Sequence, residues 1–252
     1  MERMVSYAYN REDVLLERLF RDLDTGFYID VGAGHPTKGS LTRHFYDRGW
    51  RGLNLEPAAT LFDSLQSERP EDNNLRVAIS NRSGSVNLYE FAGQEWGLST
   101  LSYEQAERHA RAGLQYETRT VRSATLTEIF EENVTGEIQF LSIDVEGHAA
   151  EVLQGGDWSR WRPWVLVIEA TQPMTQIPTH HDWEPQLLDS NYLFAYFDGL
   201  NRFYVRAEEA HLLECFRTPV NLFDGFIRYE VKRFVTDLET QLAAALALNQ
   251  DL

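Results

Sequence analysis

Short apolar segments of strand character alternate along this chain with segments whose apolar residues recur every three or four positions. The first pattern is typical of buried β-strands and the second of amphipathic helices. Strands that alternate with helices predict a mostly parallel, doubly wound α/β sheet with helices on both faces. We expect strands over residues 27–31, 52–56, 75–79, 138–143 and 164–169, and helices over residues 40–48, 58–68, 126–132 and 147–154.

Other segments extend or depart from this alternation. Asn10 is predicted to cap a first helix, because Asn side chains accept hydrogen bonds from free backbone N–H groups. Residues 85–91 alternate like a half-exposed strand. Segments 192–197 and 202–205 flank Asp198-Gly199-Leu200-Asn201 and predict an antiparallel hairpin at the end of the sheet.

The C-terminal segment has a different pattern. Its residues at alternating spacings of three and four, as at heptad a and d positions, are Val235, Leu238, Leu242, Ala245, Asn249 and Leu252. Two interpretations stay open: an amphipathic helix folded back on the domain, or the start of a coiled coil that dimerises the chain or continues into a longer polypeptide. Two heptads are too few to decide. We predict a domain over residues 1–228 and a C-terminal helix over residues 229–252.

Charge narrows the possible partners. The chain has 39 acidic and 23 basic residues, so its net charge is −16. Such a surface repels phosphate backbones and disfavours a nucleic-acid partner. Cys215 is the single cysteine, which excludes an internal disulfide and a thiolate zinc cluster. Since residues 1–10 lack a signal-peptide core and no apolar run approaches the ~20 residues of a membrane span, we expect a soluble, cytoplasmic protein.

The first predicted strand ends in the turn Gly32-Ala33-Gly34. In open α/β sheets, ligands bind at the carboxyl ends of the strands, where glycines let the backbone approach closely. Glu56 ends the next strand, where a carboxylate can accept both hydroxyls of a ribose. No third glycine opens a helix onto a pyrophosphate, because His35-Pro36 occupies that stretch. The pattern favours S-adenosylmethionine over NAD, with Asp30 beside the loop that holds the other end of the ligand.

Asp144, Glu146 and His148 follow the strand predicted over residues 138–143. One interpretation is that Asp144 or Glu146 caps the following helix. The other is catalytic, since a histidine with a near-neutral pKa is the usual acceptor of a proton from a hydroxyl. One cap needs only one acid, whereas this segment has two acids and an imidazole. We therefore predict His148 as the general base, supported by Glu146, with Asp144 as a further catalytic residue.

Glu169 ends the last parallel strand and is expected to face the same crevice. With Asp144 it can hold a hard divalent cation such as Mg²⁺ through oxygen atoms, and Asn201 and Asp198 of the hairpin turn can contribute. We predict a magnesium site of Asp144, Glu169 and Asn201. The alternative for Glu169 is a salt-bridged strand end.

Two loops complete the candidate site. Residues 97–101, with Ser99 at their centre, are typical of a Ser/Thr turn or helix cap. Residues 171–183 are long for a connection, which suits a lid over the substrate. His180 and His181 in this segment lack metal-ligand partners at fixed spacing, so we predict surface positions for them.

Taken in order, these motifs resemble the FkbM family of S-adenosylmethionine-dependent methyltransferases. The segments that carry the resemblance are residues 6–13, 28–34, 55–57, 97–101, 143–148 and 199–205. The resemblance spans roughly residues 6–226, and its most specific part is the Asp-Val-Gly-Ala loop combined with the Ile-Asp-Val-Glu-Gly run. It implies a Rossmann-like class I methyltransferase fold, whose sheet ends in a reversed strand.

The same resemblance implies O-methylation of a sugar hydroxyl in a polysaccharide, glycolipid or glycosylated natural product. The cofactor-binding residues would be Asn10, Asp30, Gly32, Ala33, Gly34, Glu56, Ser80 and Ser99. Several relatives are joined to glycosyltransferases, which fits a tail that begins a coiled coil. The alternative hypothesis is a catalytically silent module that assembles through its C-terminal helix. An NAD-dependent oxidoreductase is disfavoured by the missing glycine, and nucleobase methylation by the lack of a proline-aromatic platform for a flipped base.

Overall fold

The computed structural model describes residues 3–250, except for the side chains of residues 94 and 247–250. These described residues contain twelve strands and eight α-helices. The strands are β1 (Met4–Ser6), β2 (Phe27–Val31), β3 (Arg51–Leu55), β4 (Asn73–Leu75), β5 (Ala78–Ile79), β6 (Gly84–Phe91), β7 (Tyr116–Ala124), β8 (Phe140–Ile143), β9 (Val165–Glu169), β10 (Tyr192–Phe197), β11 (Asn201–Arg206) and β12 (Phe226–Arg228). The helices are α1 (Glu12–Phe20), α2 (Arg43–Asp47), α3 (Ala59–Glu68), α4 (Tyr103–Arg111), α5 (Leu126–Asn133), α6 (Ala149–Gln154), α7 (Glu184–Asp189) and α8 (Tyr229–Gln250).

The central sheet has seven strands in the order β4-β3-β2-β8-β9-β11-β10. The pairs from β4 to β9 are parallel, whereas β11 runs antiparallel to both of its neighbours. This arrangement confirms the predicted doubly wound sheet that ends in a reversed strand. Because β3, β2, β8 and β9 are parallel neighbours, their carboxyl ends meet at one edge of the sheet.

Alternate residues of the inner strands supply two cores, one on each face of the sheet. Ile29, Leu141 and Leu166 pack in the cluster that includes α5 and α6. Tyr28 and Phe140 pack in the opposite cluster, which includes α1 and α2. Strands buried on both faces are apolar along their whole length rather than alternating. This explains why the apolar runs of the sequence locate these strands well.

A second sheet of three strands, in the order β5-β7-β6, lies between β4 and β8 in the sequence. Its longest pairing joins β6 and β7 in antiparallel register from Gly84 opposite Ser123 to Phe91 opposite Tyr116. Strand β7 was not predicted from the sequence. It carries charged side chains at exposed positions and therefore lacks a continuous apolar run. The β-branched residues at positions 118, 120 and 121 were the available signal.

The prediction that Asn10 caps α1 is wrong. The N-cap residue is Arg11, in a left-handed conformation with φ 68° and without a side-chain cap. Asn10 instead donates from Nδ2 to the carbonyl oxygen of Asp198 at 3.1 Å. Asp13, the second residue of the helix, accepts the backbone N–H groups of Tyr7 at 2.6 Å and Ala8 at 3.3 Å. Thus an acid inside the helix, rather than Asn10, orders the preceding turn.

Helix α8 is exposed at every residue from 230 to 246. This contradicts the interpretation in which the helix folds back on the domain. Its predicted heptad residues Val235, Leu238 and Leu242 keep 43%, 47% and 61% of their surface exposed. Leu252 and the side chain of Asn249 lie outside the described residues, and the coiled-coil interpretation stays a prediction. No helix of the described chain is long and apolar enough to cross a membrane.

Candidate active site

A cavity of about 620 Å³ lies at the edge of the sheet where β2, β3, β8 and β9 end. The sheet edge contributes Gly32, Glu56 and Asp144 to its wall, and the small three-stranded sheet contributes Ile79 and Leu88. The loops and the remaining strand ends also contribute to the wall, through Tyr9, Gly34, Lys38, Trp96, Ser99, Glu146, Glu169, Met174 and Leu200. The predicted crevice is therefore present and open.

The turn after β2 depends on glycine at its first position. Gly32 has φ 78°, and a Cβ atom there would lie 1.9 Å from the carbonyl oxygen of Asp144. Only glycine therefore lets this turn pass so close to β8. Gly34, with φ 60°, lies under the ring of Trp96, 2.7 Å from where its Cβ would be. Gly32 thus lines the cavity with its backbone, whereas the ring of Trp96 covers Gly34.

Glu56 is held at the end of β3 by the turn it faces. Its Oε2 accepts the N–H of Gly34 at 2.9 Å and its Oε1 accepts the N–H of Ala58 at 2.8 Å. Burial raises the pKa of Glu56 to about 7, although these two hydrogen bonds favour the charged form. Each carboxylate oxygen retains a free lone pair for a ligand hydroxyl. Glu56 lines the cavity as predicted and does not point to bulk solvent.

Three carboxyl groups also line the cavity. Oxygen atoms of Asp144, Glu146 and Glu169 all lie within 4.8 Å of one another. Asp144 stays in contact with solvent through the cavity, although protein surrounds it on the other sides. Burial first, and then repulsion from Asp144, raises the pKa of Glu146 to about 9. Burial and the charge of Asp30 raise the pKa of Asp144 to about 6.

Glu169 lies deepest in this carboxylate cluster. Burial, followed by repulsion from Asp144 and Glu146, raises its pKa well above the usual range. The backbone N–H groups of Glu146 and Gly147 donate hydrogen bonds that oppose this shift. Carboxyl groups in such proximity do not all ionise near neutral pH. The cluster can therefore hold and exchange a proton, or bind a divalent cation through its oxygen atoms.

A strained turn presents Glu146 to the cavity. Glu146 has φ 48°, a left-handed backbone conformation that residues other than glycine rarely adopt. This conformation costs about 1–3 kcal/mol. The hydroxyl of Thr100 donates to the carbonyl oxygen of Glu146 at 2.8 Å. Gln105 of α4 packs over Gly147, which has φ 86°. These contacts from the 97–111 segment hold the turn in place.

The sequence profile described as the methyltransferase FkbM domain matches residues 30–194 of this chain. The chain belongs to the FkbM methyltransferase family. The matched region contains the glycine turn, Glu56 and the carboxylate cluster, and the family implies S-adenosylmethionine-dependent methyl transfer.

The other comparisons add little to this assignment. A crystal structure of a TehB-like SAM-dependent methyltransferase from Corynebacterium glutamicum is similar at 10% identity, with a TM-score of 0.41. The alignment covers 77% of this chain and 87% of that one. No curated protein sequence matches the chain.

The structure of this FkbM-family protein does not bring His148 and Ser80 to the cavity wall. His148 is the N-cap residue of α6, and its Nε2 lies 3.0 Å from the hydroxyl oxygen of Ser80. Its Nδ1 lies 3.4 Å from Glu151. Burial lowers the pKa of His148. The chain reverses at Glu146 and Gly147, and His148 therefore faces the helix and β5 side rather than the carboxylates.

Asp30 also lies outside the cavity, in the sheet below it. It is buried and accepts the hydroxyl of Thr42 at 2.8 Å. Burial raises its pKa. Asp30 therefore does not reach the cofactor cavity, in contrast to the prediction. Its charge instead raises the pKa values of Asp144 and Glu56.

Asn201 and Asn10 are engaged elsewhere. The Nδ2 of Asn201 donates to Glu12 at 2.6 Å and to Asp198 at 3.3 Å. Asn201 does not line the cavity, so the third member of the carboxylate cluster is Glu146 and not Asn201. Asn10 lines a separate, smaller cavity. Sequence spacing misplaced both residues because their partners are about 190 positions away.

Ser99 and the predicted lid do reach the cavity. The hydroxyl of Ser99 donates to the carbonyl oxygen of Trp96 at 2.8 Å and accepts the N–H of Phe91 at 3.1 Å. The Ser/Thr turn predicted for this loop is formed by Thr100, whose Oγ1 accepts the N–H of Ser102 at 3.0 Å. Met174 in the 171–183 segment lines the cavity and is 84% exposed. Closure of this segment over a substrate stays a prediction. His181 is exposed as predicted, whereas His180 is partly buried beside Glu184.

Proposed function

We propose that this FkbM-family protein is an O-methyltransferase that transfers the methyl group of S-adenosylmethionine to a hydroxyl of a sugar. The observation that supports it most is one cavity lined by the glycine turn, Glu56 and the three carboxyl groups. The sugar is inferred from the acceptors typical of the family that the sequence resembles. The cytoplasmic location likewise stays a prediction of the sequence.

The residues of the cavity fit the cofactor group by group. Val77, Ile79 and Leu88 form an apolar end suited to an adenine ring. Glu56, which follows β3, would accept the ribose hydroxyls. Gly32, which lines the cavity at the end of β2, would contact the methionyl chain through its backbone. When bound, S-adenosylmethionine supplies an electrophilic methyl group.

Lys38 fits the carboxylate of the methionyl group. Among the described residues that line the cavity, Lys38 is the one with a cationic side chain. Its ammonium group forms no ion pair with any acidic side chain of the described residues. The carboxylate of the cofactor would otherwise enter a cavity that already contains Glu56 and the carboxylate cluster. An ammonium group at the cavity mouth offsets that repulsion. Sequence reasoning missed Lys38 because it lies in the loop between β2 and α2.

The carboxylate cluster is the base in this proposal. Near neutral pH Asp144 is ionised and Glu146 keeps its proton, since their pKa values are raised to about 6 and about 9. An ionised carboxylate with a raised pKa takes a proton from a hydroxyl more readily than an ordinary one. Asp144 is therefore placed to accept the proton of the acceptor hydroxyl, and Glu146 and Glu169 to hydrogen-bond a neighbouring hydroxyl. His148, the base predicted from the sequence, is the alternative candidate for this role.

The same cluster supports a second mode of activation. Three carboxylates within 4.8 Å offer the oxygen ligands that Mg²⁺ prefers. A divalent cation there would lower the pKa of the acceptor hydroxyl and orient a pair of hydroxyls. Activity that survives a chelator excludes this mode, and activity that a chelator abolishes and Mg²⁺ restores supports it.

Cofactor binding and turnover test the proposal separately. Calorimetry with S-adenosylhomocysteine should show binding to the unaltered protein, and no binding would overturn the proposal. Methylated glycans, detected by mass spectrometry in cells with and without this gene, identify the acceptor. With that acceptor, Asp144→Asn should lose roughly 10²–10⁴-fold in turnover, as expected for a general base. His148→Ala is the matched variant, and if it alone loses turnover, His148 is the base.

A silent assembly module is the second candidate, supported by the apolar residues that α8 exposes. Val231, Phe234, Val235, Leu238 and Leu242 are each at least 43% exposed on this helix. Association through α8 with a second copy, or fusion to a glycosyltransferase, stays a prediction. A silent module need not bind a cofactor, so an unchanged melting temperature with S-adenosylhomocysteine would favour it.

A further inference from the structure

A second cavity, of about 430 Å³, adjoins the cofactor cavity, and we call it the side pocket. Tyr9 and Leu200 line the cofactor cavity, whereas Asn10 and Asp198, their neighbours in the sequence, line the side pocket. The N-terminal turn and the β10–β11 hairpin turn therefore form the wall between the two cavities. A ligand that extends across this wall would occupy both cavities.

Buried polar groups fix the wall of the side pocket. Asn10 donates from Nδ2 to the carbonyl oxygen of Asp198 at 3.1 Å, and its backbone N–H donates to Glu12 at 3.0 Å. Asn201 donates to the other oxygen of Glu12 at 2.6 Å. Glu12 and Asn201 are both 6% exposed. The pocket is therefore preformed and does not need a ligand to shape it.

Arg11 is the unexplained charge of this pocket. Its backbone is left-handed, and its guanidinium forms no hydrogen bond or ion pair within the described chain. The neighbouring arginines are paired, Arg18 with Asp224 at 2.8 Å and Arg202 with Glu184 at 2.6 Å. An arginine remains charged and its planar donors match carboxylate and phosphate oxygens. In a chain with a net charge of −16, an arginine without a partner in a pocket indicates that the partner is a ligand.

The acidic groups around Arg11 are already occupied. Asp198 accepts the backbone N–H groups of Leu200 at 2.8 Å and Asn201 at 2.6 Å. Glu12 accepts the two asparagines described above, and burial raises its pKa to about 8. Leu15, Tyr196 and Phe226 supply apolar walls. The pocket thus combines one available cation with surfaces that suit the C–H face of a sugar ring.

We infer that the side pocket is a subsite for an anionic group on the acceptor, a sugar carboxylate or a phosphate, that lies beyond the methylated sugar. The inference rests on the proposed function, because only an acceptor that reaches into the cofactor cavity would use both cavities. It narrows the acceptor to acidic or phosphorylated glycans. Arg11 binds the anionic group, and Tyr196 contacts the ring that carries it.

Nuclear magnetic resonance titrations of the ¹⁵N-labelled full chain test this inference. The probes are D-glucuronate, D-glucose 6-phosphate and, as the neutral control, D-glucose. Both signals of the side pocket, the Nε–H of Arg11 and the backbone N–H of Asn221, should shift with at least one anionic probe. That probe should bind at least about tenfold more tightly than glucose, as a charge-assisted hydrogen bond provides. The carboxylate and phosphate probes distinguish the two sources of the anion.

Matched variants decide whether Arg11 is responsible. Arg11→Gln should remove the preference for the anion, and Arg82→Gln, an exposed arginine away from both cavities, should keep it. Equal binding of glucose and the anions, or an unchanged preference in Arg11→Gln, would overturn the inference. So would shifts that vanish in Lys38→Ala alone, because the anion site would then be the cofactor cavity. S-adenosylhomocysteine should bind Arg11→Gln within twofold of the unaltered protein. If it binds neither protein, the proposed function fails while the anion titration remains readable.

Discussion

Two groups of acidic residues lie beside the central sheet, and they differ in whether the chain itself supplies their partners. Beside β2 and β3, Asp72 accepts the hydroxyl of Tyr28 at 2.6 Å and the N–H of Gly52 at 2.8 Å, and it lies 3.8 Å from Arg69. Arg69 is fully buried and also donates to Thr42 at 2.7 Å. We call this group the Arg69 network. Its donors and acceptors are nearly all supplied by the chain itself.

The carboxylate cluster has no such set of partners. Glu169 receives hydrogen bonds from two backbone N–H groups, but no arginine or lysine forms an ion pair with Asp144, Glu146 or Glu169 in the described chain. A buried acid whose partners belong to the protein stabilises one fold, whereas acids placed together without a cation raise each other's pKa. The acids of the Arg69 network therefore stabilise the fold, whereas those of the carboxylate cluster are available to bind a ligand or a proton.

Removal of Arg69 is expected to have the largest effect. Arg69→Met leaves Asp72 and Asp30 buried without a cation, which should lower the free energy of unfolding by about 3–5 kcal/mol. Urea denaturation followed by circular dichroism measures it. Glu146→Gln is the matched variant in the other group and should leave stability unchanged or increase it, because a neutral Gln avoids the cost of protonating Glu146 on folding. Equal losses in both variants would show that the carboxylate cluster is structural as well.

Loss of Glu56 is expected to be the next largest effect, now on binding. Glu56→Ala removes the acceptor of two ribose hydroxyls, and hydrogen bonds to a charged group contribute about 1.5–3 kcal/mol each. The affinity for S-adenosylhomocysteine should fall by about 100-fold in calorimetry. Asp72→Asn, which alters an acid outside the cavity, should leave the affinity of the folded fraction unchanged. Equal affinities of Glu56→Ala and the unaltered protein would remove Glu56 from the ribose site.

The comparison also shows which residues the sequence can locate. Glu56, Asp144 and Glu169 follow continuous apolar strands, and parallel strands bring their carboxyl ends to one edge, so their proximity follows from the fold class. His148 lies only two residues beyond Glu146, yet the left-handed turn between them directs it elsewhere. No periodicity in the sequence reports that reversal.

Residues brought in from loops could not be located in this way. Tyr9 lies against Gly39, close to the position that a Cβ atom would take there, and this contact places Lys38 and Arg11 at the two cavities. Such contacts join segments about 30 residues apart through packing alone. For Lys38 and Arg11, the net charge of the chain becomes informative only once the structure shows that both lack an acidic partner among the described residues.

The role of Lys38 predicts a smaller change that depends on the ligand. Lys38→Ala should weaken binding of S-adenosylhomocysteine about fivefold, which corresponds to the upper limit of about 1 kcal/mol for an exposed charged contact. It should not change the affinity for 5′-methylthioadenosine, which lacks the amino-acid group. Lys38→Arg should retain most of the affinity for both ligands. If Lys38→Ala weakens both ligands equally, Lys38 shapes the cavity and does not bind the carboxylate.

The smallest expected effect is a dependence of stability on pH that belongs to the carboxylate cluster. Between about pH 4.5 and pH 9 the folded protein keeps the proton of Glu146, whereas the unfolded chain releases it. The folded state then binds more protons, so the free energy of unfolding falls as pH rises through this range. Contact with cavity water limits the change to about 1 kcal/mol. Glu146→Gln should flatten the slope in urea denaturation from pH 5 to 8, and the exposed Glu104→Gln should not. Parallel slopes for Glu146→Gln and the unaltered protein would mean that Glu146 is ionised in the folded protein, and Glu146 would then become a candidate base beside Asp144.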